Sequence, residues 1–139
     1  MISNRKHKIY CSKQCYITYN KQINKQKNRS RYKNDNIYKL SISLRNRFKM
    51  SLKAKNINKK QSIFKLLGCT IYDYYKYLES KFLPGMTWGN YEYYGWHIDH
   101  IISINKFDLN TLEGQQKAFH YTNTQPLWMK DNMQKSSKM

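Results

Sequence analysis

The positive charge of this chain lies almost entirely in its first half. Residues 1–65 carry 19 Lys and Arg side chains and one acidic side chain, Asp35, whereas residues 66–139 carry seven basic and seven acidic side chains. Within the first segment, residues 20–34 are polar and nearly free of aliphatic side chains, so they cannot bury a core of their own. The chain is therefore interpreted as a basic arm joined to a balanced, aromatic-rich body. The basic arm favours an anionic partner such as DNA or RNA.

Hydropathy and cysteine content indicate the cellular compartment in which the protein is expected. No run of about 18 apolar residues is present, and no N-terminal segment has the apolar centre of a signal peptide. The sequence therefore predicts an intracellular protein that is not secreted and has no membrane partner. Three cysteines are an odd number, which argues against a framework of disulfide bonds. Cys69 suits a small buried side chain.

A helical stripe follows the most basic stretch. Residues 20–34 are so polar that they predict either a helix that forms on DNA or a mobile linker. From Ile37 to Leu52, apolar side chains recur every three or four residues, which predicts an amphipathic helix. Its other face is basic and is either simply solvated or lies against phosphates. The DNA-binding residues expected on this face are Arg45, Arg47, Lys49 and Lys53.

A compact helical hairpin is predicted for residues 61–83. Ser62 and Thr70 each suit the N-cap of a helix, and Gly68 suits the left-handed residue that ends the first helix. Beyond a Pro-Gly turn, the branched and aromatic residues of 96–104 predict a strand.

The remaining segments predict short elements. Residues 112–120 fit a helix that Gly114 weakens. Residues 121–125 are strand- or turn-like, and Pro126 is expected to end whatever precedes it. Residues 128–137 predict a final short helix.

One ordered set of residues has the pattern of a known active site. Asp99-His100 is followed by Asn123 and Asn132, within the blocks Trp-His-Ile-Asp-His and Pro-Leu-Trp-x-x-Asp-Asn. Over residues 61–138 this arrangement resembles the HNH endonucleases of phages and large DNA viruses, in a His-Asn-Asn form. The resemblance implies an α+β fold with a ββα-metal core, a helical hairpin before it and a basic, mainly helical N-terminal arm.

The resemblance also implies a role for each residue of the set. His100 would be the general base, Asp99 and Asn132 the ligands of one divalent cation, and Asn123 the residue that orients the loop or the imidazole. A neutral imidazole, with an ordinary pKa near 6.5, can take a proton from water around neutral pH. A carboxylate and an amide oxygen are hard ligands that suit Mg²⁺ or Mn²⁺ and leave positions for water and phosphate.

Strand geometry places a condition on this assignment. Neighbouring side chains on a regular strand point to opposite faces. Asp99 and His100 can therefore share a cation only where the backbone ends, bends or bulges near residues 99–101. Asp131 adjoins Asn132, so the position of the second ligand stays open by one residue.

Two other histidines and two lysines each have two interpretations. His97 is either a buried structural residue or a support for the site, and His120 either packs or contacts a phosphate. Lys130 and Lys135 either contact backbone phosphates or remain solvated. Phosphate contacts position a protein on a nucleic acid without reading its sequence.

A pair of cysteines near the start resembles half of a zinc module. Cys11 and Cys15 have the spacing of a treble-clef or zinc-ribbon half-site, and His7 is a third candidate ligand. Structural Zn²⁺ needs four ligands. With three candidates, zinc binding by a single chain is not expected.

These features together predict three segments and one function. Residues 1–19 form a degenerate half zinc ribbon, residues 20–60 a basic helical or linker arm, and residues 61–139 the nuclease domain. The predicted function is a metal-dependent endonuclease that hydrolyses double-stranded DNA, with a homing role as one form of it, wherever target DNA lies in a host cytoplasm or nucleus. The alternative is a DNA- or RNA-binding protein without catalysis. The oligomeric state stays open, although a double-strand break needs two protomers or two successive nicks.

Overall fold

The computed structural model of the chain describes residues 10–92 and 94–137. Within them the protein is α+β and mostly helical, with a two-stranded antiparallel sheet. The chain divides into two compact units, of which the first ends at Asp35 and the second begins at Asn36. The division falls inside the predicted arm over residues 20–60, because the apolar stripe in the second half of that arm belongs to the core.

The first unit is built on one long helix. α1 (Lys13–Asn34) begins after Ser12, whose hydroxyl accepts a hydrogen bond from the Cys15 amide at 3.1 Å. No residue of α1 is buried, so its stability rests on its many Lys, Gln and Arg side chains, which have high helix propensity. The guanidinium of Arg31 lies 3.6 Å from the carboxylate of Asp35 at its end. The segment that predicted a helix or a linker is therefore helical.

The second unit begins with the amphipathic helix that the sequence predicts, α2 (Asn36–Ala54). Its buried residues are Leu40, Leu44, Phe48 and Leu52. Burying a large apolar side chain stabilises a fold by about 1.5–3 kcal/mol, so this stripe is enough to attach the helix to the body. The predicted stripe is confirmed.

Two short helices follow, with the caps that the sequence predicts. α3 (Ile63–Leu67) starts after Ser62 and ends at Gly68, whose φ of +79° is the left-handed conformation. Thr70 caps α4 (Ile71–Ser80), and its hydroxyl oxygen accepts a hydrogen bond from the backbone N–H of Asp73 at 3.1 Å. The helical hairpin and both of its caps are confirmed.

The sheet consists of β1 (Trp96–His100) and β2 (Thr124–Trp128), paired antiparallel with His100 opposite Thr124. The first strand is confirmed but is shorter than predicted, because the chain bends after His100. Pro126 lies within β2, so the prediction that it ends the preceding element was wrong. A two-stranded sheet leaves one edge of each strand unpaired, and there the missing N–H of proline is tolerated.

Two helices flank β2, and both were predicted. α5 (Leu112–Phe119) precedes the strand, and α6 (Met129–Ser137) follows it directly. Gly114, which was expected to weaken α5, is required there, because a Cβ would collide with the carbonyl oxygen of Asp108. Among the helices of the described ranges, none combines the length and apolar character needed to cross a bilayer.

An aromatic cluster forms the centre of the second unit. Trp96 is fully buried, and its ring centroid lies 4.8, 5.2 and 4.6 Å from those of Phe82, Trp88 and Tyr91. Its indole N–H donates to the carbonyl oxygen of Thr87 at 2.8 Å. Because Trp96 is the first residue of β1, the cluster fixes the strand whose far end carries the candidate site.

Candidate active site

Asp99 and His100 are the last two residues of β1. The pairing of β1 with β2 is regular up to His100, so Asp99 and His100 point to opposite faces of the strand. Asp99 meets α6, whereas His100 meets residues of α2. For Asp99 and His100 to bind one cation, the backbone must bend near them. The bend begins one residue after His100, at Ile101. The structure therefore places the two side chains side by side along the chain without aiming them at one point.

Asp99 lies in a polar cluster at the junction of the sheet and α6. Its Oδ2 accepts hydrogen bonds from Lys135 Nζ at 2.7 Å and from Gln125 Nε2 at 3.2 Å. Lys135 Nζ also donates to the carbonyl oxygen of His100 at 2.6 Å. The side chains of Asp99 and Lys135 are 13% and 30% exposed. Lys135, expected to contact phosphate or remain solvated, instead ties α6 to the end of β1.

Asn132 lies on the same face of α6 as Lys135. Residues three apart are neighbours on a helix surface, and these two are half-buried whereas Asp131 and Met133 are exposed. Within the described ranges the side-chain amide of Asn132 has no hydrogen-bond partner. Between the adjacent candidates, this burial pattern favours Asn132 over Asp131 as a group that can act together with Asp99.

His100 lies against an apolar wall. Its ring centroid is 6.2 Å from that of Phe119, beside a cavity of about 20 Å³ that it lines together with Arg47. Burial lowers its pKa from 6.5 to about 4, and the charges of Arg47 and Lys135 act in the same direction, while Asp99 opposes them. The imidazole is therefore neutral at neutral pH, which is the protonation state of a general base.

Arg47 brings a positive charge to the His100 side of the sheet. It is half-buried, and no ion pair joins it to a carboxylate within the described residues. Its charge acts on His100 and on the buried phenol of Tyr74. A guanidinium that is partly withdrawn from water favours an anion with paired oxygens, so a phosphate group suits this position.

Asn123 fixes the turn that follows β1. Its Oδ1 accepts from the Ile102 amide at 2.9 Å, and its Nδ2 donates to the carbonyl oxygens of Ile102 and Ala118, both at 3.0 Å. Its own carbonyl oxygen accepts from the Ile101 amide at 2.9 Å. Of the two roles expected for Asn123, orientation of the loop is the one that these contacts describe. It is a positioning residue.

Stability is expected to depend on pH through His100. In the unfolded chain its imidazole takes up a proton near pH 6.5, but in the folded chain it stays neutral down to about pH 4. The unfolded state then binds more protons between these values, so stability falls as pH drops through this window, by up to about 3 kcal/mol. Urea unfolding of the wild type and His100→Gln in EDTA, at half-unit steps from pH 4 to 7, measures the difference. Parallel pH profiles for the two proteins would contradict the assignment.

Cys11 and Cys15 are joined in a disulfide, with their Cα atoms 6.3 Å apart. One disulfide is not the framework of several that the odd number of cysteines argues against, but it joins the two cysteines that were expected as a zinc half-site. Cysteine binds zinc as a thiolate, so the two sulfur atoms joined in the disulfide are not zinc ligands in this state. His7 lies outside the described residues. Within the described part of the chain, no three His, Cys, Asp or Glu side chains cluster as a metal site.

The two remaining histidines of the prediction lie in the second unit. His97 is half-buried as the second residue of β1, opposite Leu127. His120 Nδ1 lies 2.8 Å from the hydroxyl of Thr122, and its ring fills the space where a Cβ of Gly68 would stand. The contacts of His120 are those of a packing residue.

The basic residues predicted to bind DNA lie on two elements. On α2, the guanidinium of Arg45 lies 4.9 Å from the centre of the Phe64 ring, and Lys49 and Lys53 are exposed. Lys130 is exposed on α6. These positions remain accessible to an anionic partner.

Two parts of the site were not predicted from the sequence. Gln125 holds Asp99 because the two residues are cross-strand partners. Pairing the two strands in sequence would have placed Gln125 opposite Asp99. The expectation that Pro126 ends the preceding element prevented a second strand from being predicted there. Lys135 was considered as a phosphate contact or a solvated charge, although its place one turn after Asn132 puts it on the same helix face.

Comparison with known proteins finds relatives of viral origin. A protein described as uncharacterized protein L246, from Acanthamoeba polyphaga mimivirus, is 38% identical over 102 residues, which are 73% of this chain and 43% of the relative. Uncharacterized protein L426 of the same virus is 28% identical over 144 aligned residues, which cover 99% of this chain and 62% of the relative. The chain thus spans less than two thirds of the length of each of these relatives.

No protein-family profile matches the chain, and no solved structure matches it. The two viral proteins are therefore what this chain is similar to, and neither is described with an activity.

Proposed function

We propose that the chain is a metal-dependent endonuclease of the HNH type that hydrolyses phosphodiester bonds of DNA. One observation carries the proposal. Two antiparallel strands are followed at once by a helix, and the face of that helix bearing Asn132 and Lys135 meets Asp99 at the end of the first strand. This order and contact agree with the ββα core that the resemblance of residues 61–138 implies.

His100 supplies the base in this proposal. Its imidazole is neutral at neutral pH, so it can accept the proton of a water molecule as the water oxygen attacks phosphorus. Arg47, on the same side of the sheet, would bind an oxygen of that phosphate through paired N–H groups. Asn123 keeps the turn after His100 in one conformation through its bonds to Ile102.

The residues present fit one hard divalent cation. Asp99 offers carboxylate oxygens and Asn132 an amide oxygen without a partner in the described ranges, which are donors that Mg²⁺ and Mn²⁺ favour. Mg²⁺ sites commonly use one or two such protein groups and leave the other positions to water and phosphate. Because Asp99 and His100 lie on opposite faces of β1, the proposal requires the phosphate to lie at the strand end, within reach of both. When bound there, the ion would supply positive charge for the phosphate oxygens. Lys135 would compete with it for Asp99 Oδ2.

A second candidate function is favoured by two observations. Lys135 already neutralises Asp99, and Asp99 and His100 point to opposite faces of β1. Both observations suit a DNA- or RNA-binding protein without catalysis, whose affinity comes from the net charge of +18.

Supercoiled plasmid DNA distinguishes the two candidates. The wild type is expected to nick it in Mg²⁺ or Mn²⁺ and to leave it intact in EDTA. Asn132→Ala removes one of two protein ligands, so the Mg²⁺ concentration for half-maximal nicking is expected to rise by at least roughly the 10- to 100-fold that the loss of an outer-shell partner costs. Asp131→Asn, the adjacent exposed position, is the matched control and should behave like the wild type.

Nicking that persists in EDTA, or that weakens equally in the Asn132 and Asp131 variants, would contradict the proposed cation site. Tight, salt-sensitive binding of the plasmid without any nicking would favour the second candidate instead.

A further inference from the structure

A groove on the second unit takes no part in the proposed reaction. Its volume is about 740 Å³, and it lies between the second half of α2 and residues 56–64. Its apolar floor is formed by Phe48, Leu52, Ile57, Ile63 and Phe64. Its basic rim is formed by Arg45, Lys49, Lys53 and Lys59. No Asp or Glu is among the described residues that line it.

The far wall of this groove is fixed by one buried side chain. Gln115 is fully buried. Its Oε1 accepts from the Lys60 amide at 2.9 Å, and its Nε2 donates to the carbonyl oxygens of Asn58 and Leu109 at 3.0 and 2.9 Å. The turn before this wall is closed by the Ile57 amide, which donates to a carbonyl oxygen of α2 at 3.0 Å. The groove is therefore formed before any ligand arrives.

The groove combines two surfaces that suit different parts of one ligand. Four cations without a carboxylate among them attract phosphates. An apolar floor with an aromatic ring suits the faces of nucleic-acid bases, which stack on aromatic and guanidinium planes. Phe64, with the guanidinium of Arg45 4.9 Å from its ring centre, offers this kind of platform. In a duplex the base faces are covered by neighbouring pairs, so the floor favours an unpaired strand.

The groove adjoins the candidate active site. Phe48 and Ile63 line both the groove and the small cavity that contains His100 and Arg47. A strand bound in the groove would therefore lie next to the proposed reaction centre.

We propose that this groove binds an unpaired segment of a DNA strand, with its bases on the apolar floor and its phosphates on the basic rim. The choice of DNA rests on the proposed function, and the groove deepens that function by naming the form of the substrate. A substrate with a junction between paired and unpaired DNA would use the groove and the site together.

Fluorescence anisotropy in EDTA tests the groove without any cleavage. The full chain is titrated into a labelled 12-nucleotide DNA strand, the same strand in a duplex, and its RNA equivalent. The single DNA strand is expected to bind most tightly. The double variant Lys49→Gln and Lys53→Gln should lower the slope of log affinity against log salt by about 1.4 for that strand, because each lost phosphate contact removes about 0.7.

Two further variants separate base stacking from charge. Phe64→Leu keeps the floor apolar but removes the flat ring, so it should weaken single-strand binding by about fivefold or more and leave duplex binding unchanged. The control is the pair Lys81→Gln and Lys106→Gln, exposed lysines outside the groove, whose loss should leave the salt slope within about 0.3 of the wild type.

Three results would overturn the proposal. They are tighter binding of the duplex than of the single strand, tighter binding of RNA than of DNA, and an equal effect of the groove and control lysine pairs. The cleavage proposal is judged separately by plasmid nicking, so an inactive chain that binds the single strand as expected would fail only the former proposal.

Discussion

Replacing His100 with alanine is expected to slow metal-dependent nicking of plasmid DNA by about 10²–10⁴-fold, the usual contribution of a general base. The physical reason is that the imidazole, which burial keeps neutral at pH 7, accepts the proton of the attacking water in the proposed reaction. The measurement is the first-order rate of loss of supercoiled plasmid at saturating Mg²⁺. The affinity of the variant for DNA in EDTA should stay close to that of the wild type, because the basic residues are untouched.

A second readout separates a lost base from a damaged fold. Removal of the ring enlarges the small cavity that His100 lines, so added imidazole should restore part of the nicking rate of His100→Ala. Rescue should follow the neutral fraction of the added imidazole as pH rises. Nicking at the wild-type rate by His100→Ala, with a normal melting curve, would rule out His100 as the base.

Replacing Trp96 with alanine is expected to destabilise the second unit by about 3–5 kcal/mol, the typical loss for a buried tryptophan in a core. The ring contacts Phe82, Trp88 and Tyr91, and its N–H bond to Thr87 is lost with it. The free energy of unfolding is measured from urea midpoints of the full chain. Since whole domains are stable by about 5–15 kcal/mol, the variant loses a large part of this total.

Two companion variants keep this result interpretable. Trp96→Phe retains an aromatic ring but removes the hydrogen bond to Thr87, so its loss should be smaller than that of the alanine variant. Tyr94→Ala changes a side chain that is 91% exposed and should shift stability by less than about 0.5 kcal/mol. Equal losses for Trp96→Ala and Tyr94→Ala would show that the cluster is not the centre of the fold.

Local patterns predicted the helices of this chain because each signal is contained in a few neighbouring residues. The stripe ending at Leu52, the caps Ser62 and Thr70, and the left-handed Gly68 all depend on backbone geometry within one or two turns. The strand pairing depends instead on residues 24 to 32 positions apart. For that reason Pro126, judged by its own preferences, was expected to end an element in which it lies.

The candidate site also has a part that the sequence predicted and a part that only the three-dimensional structure revealed. Asp99, His100, Asn123 and Asn132 were chosen by their order in the sequence. The side chains that contact these four residues in the folded protein could not be identified from their order in the sequence. Arg47 resembles Arg45 and Lys49 in sequence, and only the tertiary fold places it with His100 around one small cavity.

The contacts of Lys135 have a consequence for folding during synthesis. Asp99 and His100 leave the ribosome well before Lys135, whose ammonium holds the carboxylate of the first and the carbonyl oxygen of the second. A nascent chain that has reached only the first strand therefore carries the polar pair without the groups that fix it. The polar junction of sheet and helix therefore cannot form until α6 has been synthesised.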